Sequence, residues 1–414
     1  MTDRLVVWLH GSRLAEVHRL RNGRLRLRFD PDAVHRYGFG TCPLSLSLPV
    51  TDRRIQGPAL DRFLDNLLPE SSVRSALERE NGVSPGDAFA LLRILGRECA
   101  GAVQLTPDDT PVGTGRLVPM SDDEVATLVS RLPTLDPPDG EVVSASLGGV
   151  QAKVLLTRTD DGWAWPADGA MSTHIVKPEP VADVAVPDLV RWEEWTLRLA
   201  RTAGLPAATA ELVDFDGRTA VVVERFDRQD GRRLHQEDMA QALGVAARDK
   251  YEPSTGRPSR LEQLVAVARP QALDPDRFVA DLLAQLTFNL VVGNGDAHAK
   301  NYSLTLGERP ACDMAPLYDV APIFLLNPTY QHFGLALDGQ TRLRHLTGSH
   351  LVREAQRWGA RPTDVRQVVE HVATAIREAL PDCAGDGIDT SAVAAQIDDR
   401  AARVLHDATT ATTI

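Results

Sequence analysis

Residues 291–304 read VVGNGDAHAKNYSL and follow the apolar run FVADLLAQLTFNL at 278–290. Phe278, Leu282, Leu286 and Leu290 recur every four residues with Val279 and Leu283 beside them, the stripe of a helix anchored on a buried face. Gly293 and Gly295 then allow the chain to turn sharply and set down Asp296, His298, Lys300 and Asn301 within six residues. An ordinary surface loop needs none of these groups. A rigid helix end that aims an Asp, with an Asn five residues later, is a candidate catalytic loop.

Asp319 follows in MAPLYDVAPI, eighteen residues after Asn301. Phosphoryl transfer to a hydroxyl requires one carboxylate to orient the hydroxyl and take its proton. It also requires an amide oxygen and a second carboxylate to hold magnesium against the nucleotide phosphates. D-x-x-x-x-N followed by a metal-binding Asp is the protein-kinase arrangement. Asp and Asn are common in turns, so the spacing alone does not decide the matter.

Upstream, Lys177 ends the strand-like THIVK, where a lysine can reach nucleotide phosphates, and Glu193 lies sixteen residues on in the next helix, placed to pair with it. SASLGGVQAK at 144–153 carries Gly148, Gly149, Val150, Gln151 and Lys153 just before the strand KVLLT, a loop that can offer backbone amides to phosphates. It is not a Walker A sequence. VVVERFDR links the β-rich part to a helical part, as a hinge gripping a nucleotide would.

The rest of the chain fits around these stretches. RLVVWL, LAEVHR and RLRLRFD form hairpins, the second closed by Asn22-Gly23. Helices are expected near ALDRFLDNLL, over SPGDAFALLRIL with Ser84 as cap and Gly96 as stop, and after the Ser121/Glu124 capping box. PTLDPPDG at 133–140 reads as a linker. Short strands and a helix through RWEEWTLRLARTAG follow. From HQEDMAQALGV at 235–245 onward, helices predominate. The expected domains are 1–135, β-rich with helices; 136–226, a kinase N-lobe-like subdomain; and 227–414, a helical C-lobe.

Composition bounds the function. A net charge of -12 argues against a direct, non-specific grip on nucleic acid, which is built from Lys and Arg. No stretch reads as a signal peptide or a spanning helix, so a cytoplasmic protein without membrane contact is expected. Cys42, Cys99, Cys312 and Cys383 lack metal or redox spacing and read as packing residues. Of 45 basic residues only four are Lys: Lys153, Lys177, Lys250 and Lys300. His298 reads as a residue that holds the catalytic loop rather than a metal ligand. Glu237 and Asp238 either order a lobe junction or cap a helix, and Trp192 and Trp195 read as core.

The ordered motifs SLGGVQAK, THIVKPE, VERFDR, HQEDMAQALG with KYE, NGDAHAKNYS and LYDVAP resemble those of the HipA family of bacterial serine/threonine kinases, toxins of HipBA-type toxin-antitoxin modules. The resemblance covers nearly the whole chain. It implies an α+β, two-lobed protein-kinase-like fold with an extra N-terminal subdomain and an all-helical C-terminal lobe, using ATP and Mg2+. It makes Asp296 the catalytic base, Asn301 and Asp319 the metal ligands, and Lys177 the phosphate-binding lysine. Backbone groups of Glu224 and Phe226 would hold adenine, and Lys300 would lie near the phosphate.

Ser146 matches the family's regulatory autophosphorylation serine, and Ser144 gives a Ser-x-Ser pair, so the choice between them stays open. The loop departs from the better-known family pattern at Leu147–Val150 and Ala152, which bears on its dynamics more than on the chemistry. The implied partners are a HipB-like helix-turn-helix antitoxin, which would carry the DNA contact, and a protein substrate such as an aminoacyl-tRNA synthetase. Two rivals share the constellation: a small-molecule phosphotransferase of kinase-like fold, and an antitoxin co-repressor with dispensable kinase activity.

Overall fold

Alternation of apolar and polar residues makes the start of the chain a sheet that covers its own core. In the computed structural model, which describes residues 3–132, 138, 148, 151–181, 185–252, 258–307 and 311–411, Asp3–Leu9, Ser12–Arg19 and Leu25–Phe29 pair antiparallel in succession. Ile55–Gln56 and Val103–Thr106 close the two edges of this five-stranded sheet. Leu5, Val7, Val17 and Leu27 turn inward against Phe63 and Phe89 on the helices Pro58–Asn66 and Ala88–Leu95. A fully buried Leu or Phe contributes about 1.5–3 kcal/mol each. The Ala88–Leu95 helix begins later than its sequence pattern implies. Gly86 takes φ +79°, and Asp87 rather than Ser84 caps the helix by accepting from the Ala90 amide. Gly96 ends it as expected.

A second antiparallel sheet runs in the order Ala210–Phe215, Arg218–Glu224, His174–Pro178, Val154–Thr159, Gly162–Ala167, Arg116–Met120. The helix Asp122–Arg131, opened by the Ser121/Glu124 capping box, packs Val125, Leu128 and Val129 on Trp163, Val176 and Val222. The chain divides into two compact units, and both sheets belong mainly to the first, which comprises Met1–Pro178, Val213–Ala247 and Thr305–Ala311. The HQEDMAQALG stretch is not one helix. His235–Asp238 is a strand, and only Met239–Ala242 is helical, with Asp238 as the cap. Glu237 instead accepts the Leu46 amide at 2.8 Å, fastening this strand to the N-terminal region. The linker at 133–140 lies outside the described residues apart from Pro138.

The second unit, Glu179–Leu212, Arg248–Leu304 and Cys312–Ile414, is helical with short ribbons such as His332–Leu337 against Gln340–Arg342. Its central helix, Pro275–Val292, is capped by Asp274 and is buried at every position from Gln285 onward. Pro362–Ala379 and Ser391–Thr410 pack against it. Trp195 is fully buried and donates from Nε1 to the Cys383 carbonyl at 2.8 Å, so the tryptophan pair is core. Among the described residues no helix is long and apolar enough to cross a membrane.

Candidate active site

The central helix ends where its sequence says it must. Gly293 takes φ +75°, a left-handed conformation that costs a residue without Cβ little, and the Asn294 amide returns to the Asn289 carbonyl at 2.9 Å. Arg400, itself buried, donates to the Leu290 carbonyl at 2.6 Å, which also takes the Gly293 amide at 3.3 Å, and to the Val291 carbonyl at 3.0 Å, a group the helix leaves open. Asn294 Nδ2 bonds Asn289 Oδ1, and Asn294 Oδ1 accepts the Asp296 amide at 3.1 Å. The backbone of Asp296 is thereby tied to the helix while its carboxylate stays 45 % exposed.

Asn301 is fixed against Asp296. Its Nδ2 donates to the Asp296 carbonyl at 2.7 Å, and its amide donates to the His298 carbonyl at 2.9 Å. With its nitrogen so engaged, the amide oxygen of Asn301 is the end left to face a cation. Asp319 stands in the left-handed region at φ 55°, which Asp and Asn tolerate better than most residues. Its neighbour Tyr318 donates to the Lys300 carbonyl at 2.7 Å and lies 2.7 Å from Ser303 Oγ, locking LYD to the loop. The Asp319 charge is close enough to act on the His298 ring. An amide oxygen and a carboxylate are hard donors that suit Mg2+, and among the described residues no cluster of three or more His, Cys, Asp or Glu offers a rival centre.

His298 is buried, and burial followed by the Lys250 charge pushes its imidazole down to about 3, so it is neutral. Its Nε2 lies 3.8 Å from Asp296 Oδ1, Nδ1 finds no hydrogen-bond partner, and the ring packs edge-on against Tyr251 with centroids 5.0 Å apart. It holds the loop by stacking. The KYE stretch does the rest. The Lys250 carbonyl accepts the Ala299 amide at 3.2 Å, and the Tyr251 hydroxyl donates to Asp296 Oδ1. Glu252 takes the amides of Ala336 and Arg260 at 3.0 and 2.7 Å. Gly334 backs the loop so closely that a Cβ would lie 2.4 Å from the Ala297 carbonyl oxygen.

The residues assigned to nucleotide lie on the first unit, except Lys300, which is buried in the loop of the second. Lys177, 6 % exposed, sits in register with Val221, and Glu224 pairs with His174 at the end of the same ladder. Lys153 Nζ donates to the Gly148 carbonyl at 2.8 Å, and the Gln151 amide nitrogen is buried without a partner. A buried donor left open in such a loop fits a phosphate-bearing ligand. Gly149, Val150, Ser144 and Ser146 lie outside the described residues. Glu193 is buried on the helix Leu189–Thr202 of the second unit.

Two residues escape a reading of the sequence: Tyr251 as a contact of the candidate base, and Glu98, which meets Arg225, Arg228 and Arg233 in a buried cluster. The KYE motif was the one signal for Tyr251; nothing local marks Glu98.

The family described as HipA-like C-terminal domain matches residues 145–380, and the HipA N-terminal domain matches residues 5–106. The chain is 37% identical over 333 residues to the Y4mE protein of Sinorhizobium fredii, named for a kinase, covering 77% of each chain. It is 33% identical over 319 residues to the serine/threonine-protein kinase toxin HipA of Shewanella oneidensis, covering 72% of this chain and 71% of that one. A solved structure of HipA from the same organism, in complex with HipB and operator DNA, superposes with a TM-score of 0.81 at 26% identity over 97% of both chains.

Proposed function

Since the chain belongs to the HipA family of toxin serine/threonine kinases, we propose that it phosphorylates a seryl or threonyl hydroxyl of a protein involved in translation, such as an aminoacyl-tRNA synthetase. Asp296 orients the acceptor hydroxyl and takes its proton. Asn301 and Asp319 hold the metal, and Lys177 and Lys300 steady phosphate oxygens. Glu224 and Phe226 hold the adenine by their backbone. Bound Mg-ATP supplies the transferable phosphoryl group. The observation that carries the reading is the 2.7 Å bond from Asn301 Nδ2 to the Asp296 carbonyl, which makes the candidate base and the candidate metal ligand one rigid piece.

Regulation and partners follow the same reading. Autophosphorylation at Ser146 or Ser144 switches the loop that carries Gly148 and Lys153. An antitoxin of the HipB kind binds the kinase in the cytoplasm and carries the contact with DNA, in keeping with the net charge of -12 here and with the HipA–HipB–operator complex of the relative.

The test is Asp296→Gln. It is expected to abolish transfer from γ-labelled ATP to lysate proteins, and with it growth arrest on induction, while the melting temperature stays that of the wild type. Retained transfer would remove Asp296 from its role. Transfer to metabolites but to no protein would favour a small-molecule phosphotransferase, and unchanged toxicity of the inactive variant would favour a co-repressor.

A further inference from the structure

Arg225 lies between Glu224 and Phe226, the two residues assigned to adenine, and its side chain is sealed inside the first unit. Nε donates to Asp227 Oδ1 at 3.0 Å, and Nη1 donates to Glu98 Oε1 at 3.0 Å and Ser172 Oγ at 2.7 Å. Nη2 donates to Asp227 Oδ2 at 2.9 Å and to the Cys99 carbonyl at 3.1 Å. A guanidinium has five N–H donors in a rigid fork, and here every one has an acceptor. The Arg225 amide also donates to the Thr173 carbonyl at 2.9 Å, and its carbonyl accepts from the Arg228 amide at 3.1 Å. In a planar trans peptide unit the carbonyl and the amide point in opposite directions, so the Glu224 carbonyl lies opposite the Arg225 amide and the Phe226 amide opposite the Arg225 carbonyl. Fixing residue 225 in this way therefore sets the direction of the Glu224 carbonyl and the Phe226 amide.

Two of the five acceptors, Glu98 and the Cys99 carbonyl, come from the stretch matched as the N-terminal domain. Glu98 is fully buried and takes Arg225, Arg228 and Arg233 together with the Ser172 amide and hydroxyl. Gly101 donates its amide to Asp227 Oδ2 at 2.7 Å and accepts Arg228 at 2.9 Å. It does so at φ +72°, where a Cβ would lie 2.7 Å from His235 Nδ1, so the approach is open to glycine alone. Burial would raise the Glu98 carboxyl, but Arg228, Arg225 and Arg233 hold it below its ordinary range, and it is ionised at neutral pH. Removing that charge leaves Arg225 and Arg228 to share Asp227, and Arg233 with the Gly169 carbonyl in place of a carboxylate.

We propose that the N-terminal domain is a working part of the nucleotide site, with Glu98 as a positioning residue that fixes the 224–226 segment through Arg225. The proposal rests on the kinase reading above. It predicts that nucleotide affinity, not the phosphoryl-transfer step, depends on Glu98. A staple that merely joins two pieces of the fold would change stability and leave affinity alone.

The experiment compares wild type, Glu98→Gln and the milder Ser172→Ala in the full-length chain. It reads ATP affinity by titration calorimetry with magnesium, KM for ATP and kcat. Expected are rises in Kd and KM of about tenfold for Glu98→Gln and about threefold for Ser172→Ala, with kcat at saturating ATP within about twofold in both. If Glu98→Gln does not fold, Ser172→Ala decides alone. Lower melting temperatures with wild-type ATP affinity would overturn the positioning role. A wild-type chain that binds no ATP would overturn the kinase reading itself.

Discussion

Tyr251→Phe removes one hydroxyl from beside the candidate base and leaves its setting in place. The ring is held edge-on to His298 with centroids 5.0 Å apart, and the chain beside it is pinned by the Lys250 carbonyl bond to Ala299, so Phe fills the same space. What disappears is the hydroxyl bond to Asp296 Oδ1, which fixes the carboxylate's rotation. A hydrogen bond to a charged group is worth about 1.5–3 kcal/mol when shielded. Tyr251 is 50% exposed and the Asp296 carboxylate 45%, so water replaces much of it. A residual of about 0.7–1.4 kcal/mol corresponds to roughly a threefold to tenfold fall in kcat. Initial rates at saturating ATP with a protein acceptor measure it, and KM for ATP and the melting temperature should stay constant. A rate that is unchanged would show that the hydroxyl does not position the base. A faster rate would show that it competes with the acceptor hydroxyl for Asp296.

Two further perturbations test the scaffold. Burial pushes the Glu237 carboxyl up to about 8 from the ordinary 4.5, despite its bonds to Ser45 and the Leu46 amide. Between those values the folded chain keeps a proton that the unfolded chain releases. Stability is therefore full below the window and falls as pH rises through it, by up to a few kcal/mol. Glu237→Gln should flatten the decline of melting temperature between about pH 5 and 8, and an unaltered slope would show that this carboxyl does not titrate with folding. Arg400→Met keeps an apolar stem near Phe324 but orphans the Val291 carbonyl and leaves the Leu290 carbonyl only the Gly293 amide. A loss of about 1.5–3 kcal/mol in thermal or urea unfolding is expected, together with reduced phosphoryl transfer, because this helix end carries Asp296. Wild-type stability would show that the helix end needs no cap.

What the sequence discloses depends on how far a residue must reach. Asn22-Gly23 closes its hairpin, Ser121 and Glu124 cap a helix three residues apart, and Gly293 ends a helix whose stripe is visible beforehand; each is local chemistry, readable without the fold. The bond between Asn301 and Asp296 spans five residues and belongs to the same class. The misplaced cap at Ser84 shows the limit of such reading. Ser84 and Asp87 are both good caps, and the left-handed turn at Gly86 together with the bonds of Asp87 to Arg19 favours the later one. Arg19 is 68 residues away.

Tyr251 meets Asp296 across 45 residues, and Glu98 meets Arg225 across 127. No periodicity or spacing rule reaches that distance. A sequence pattern does mark Arg225 and Arg228, because two arginines flanking a Phe-Asp at the end of an apolar strand are out of place unless acids await them. The acids' identity is a property of the folded chain: a buried guanidinium demands partners, but any carboxylate in the first hundred residues would satisfy the demand on paper. The candidate catalytic stretch is therefore legible because its parts are neighbours in sequence, whereas what keeps it rigid comes from distant residues on either side of it, Tyr251 before and Arg400 after.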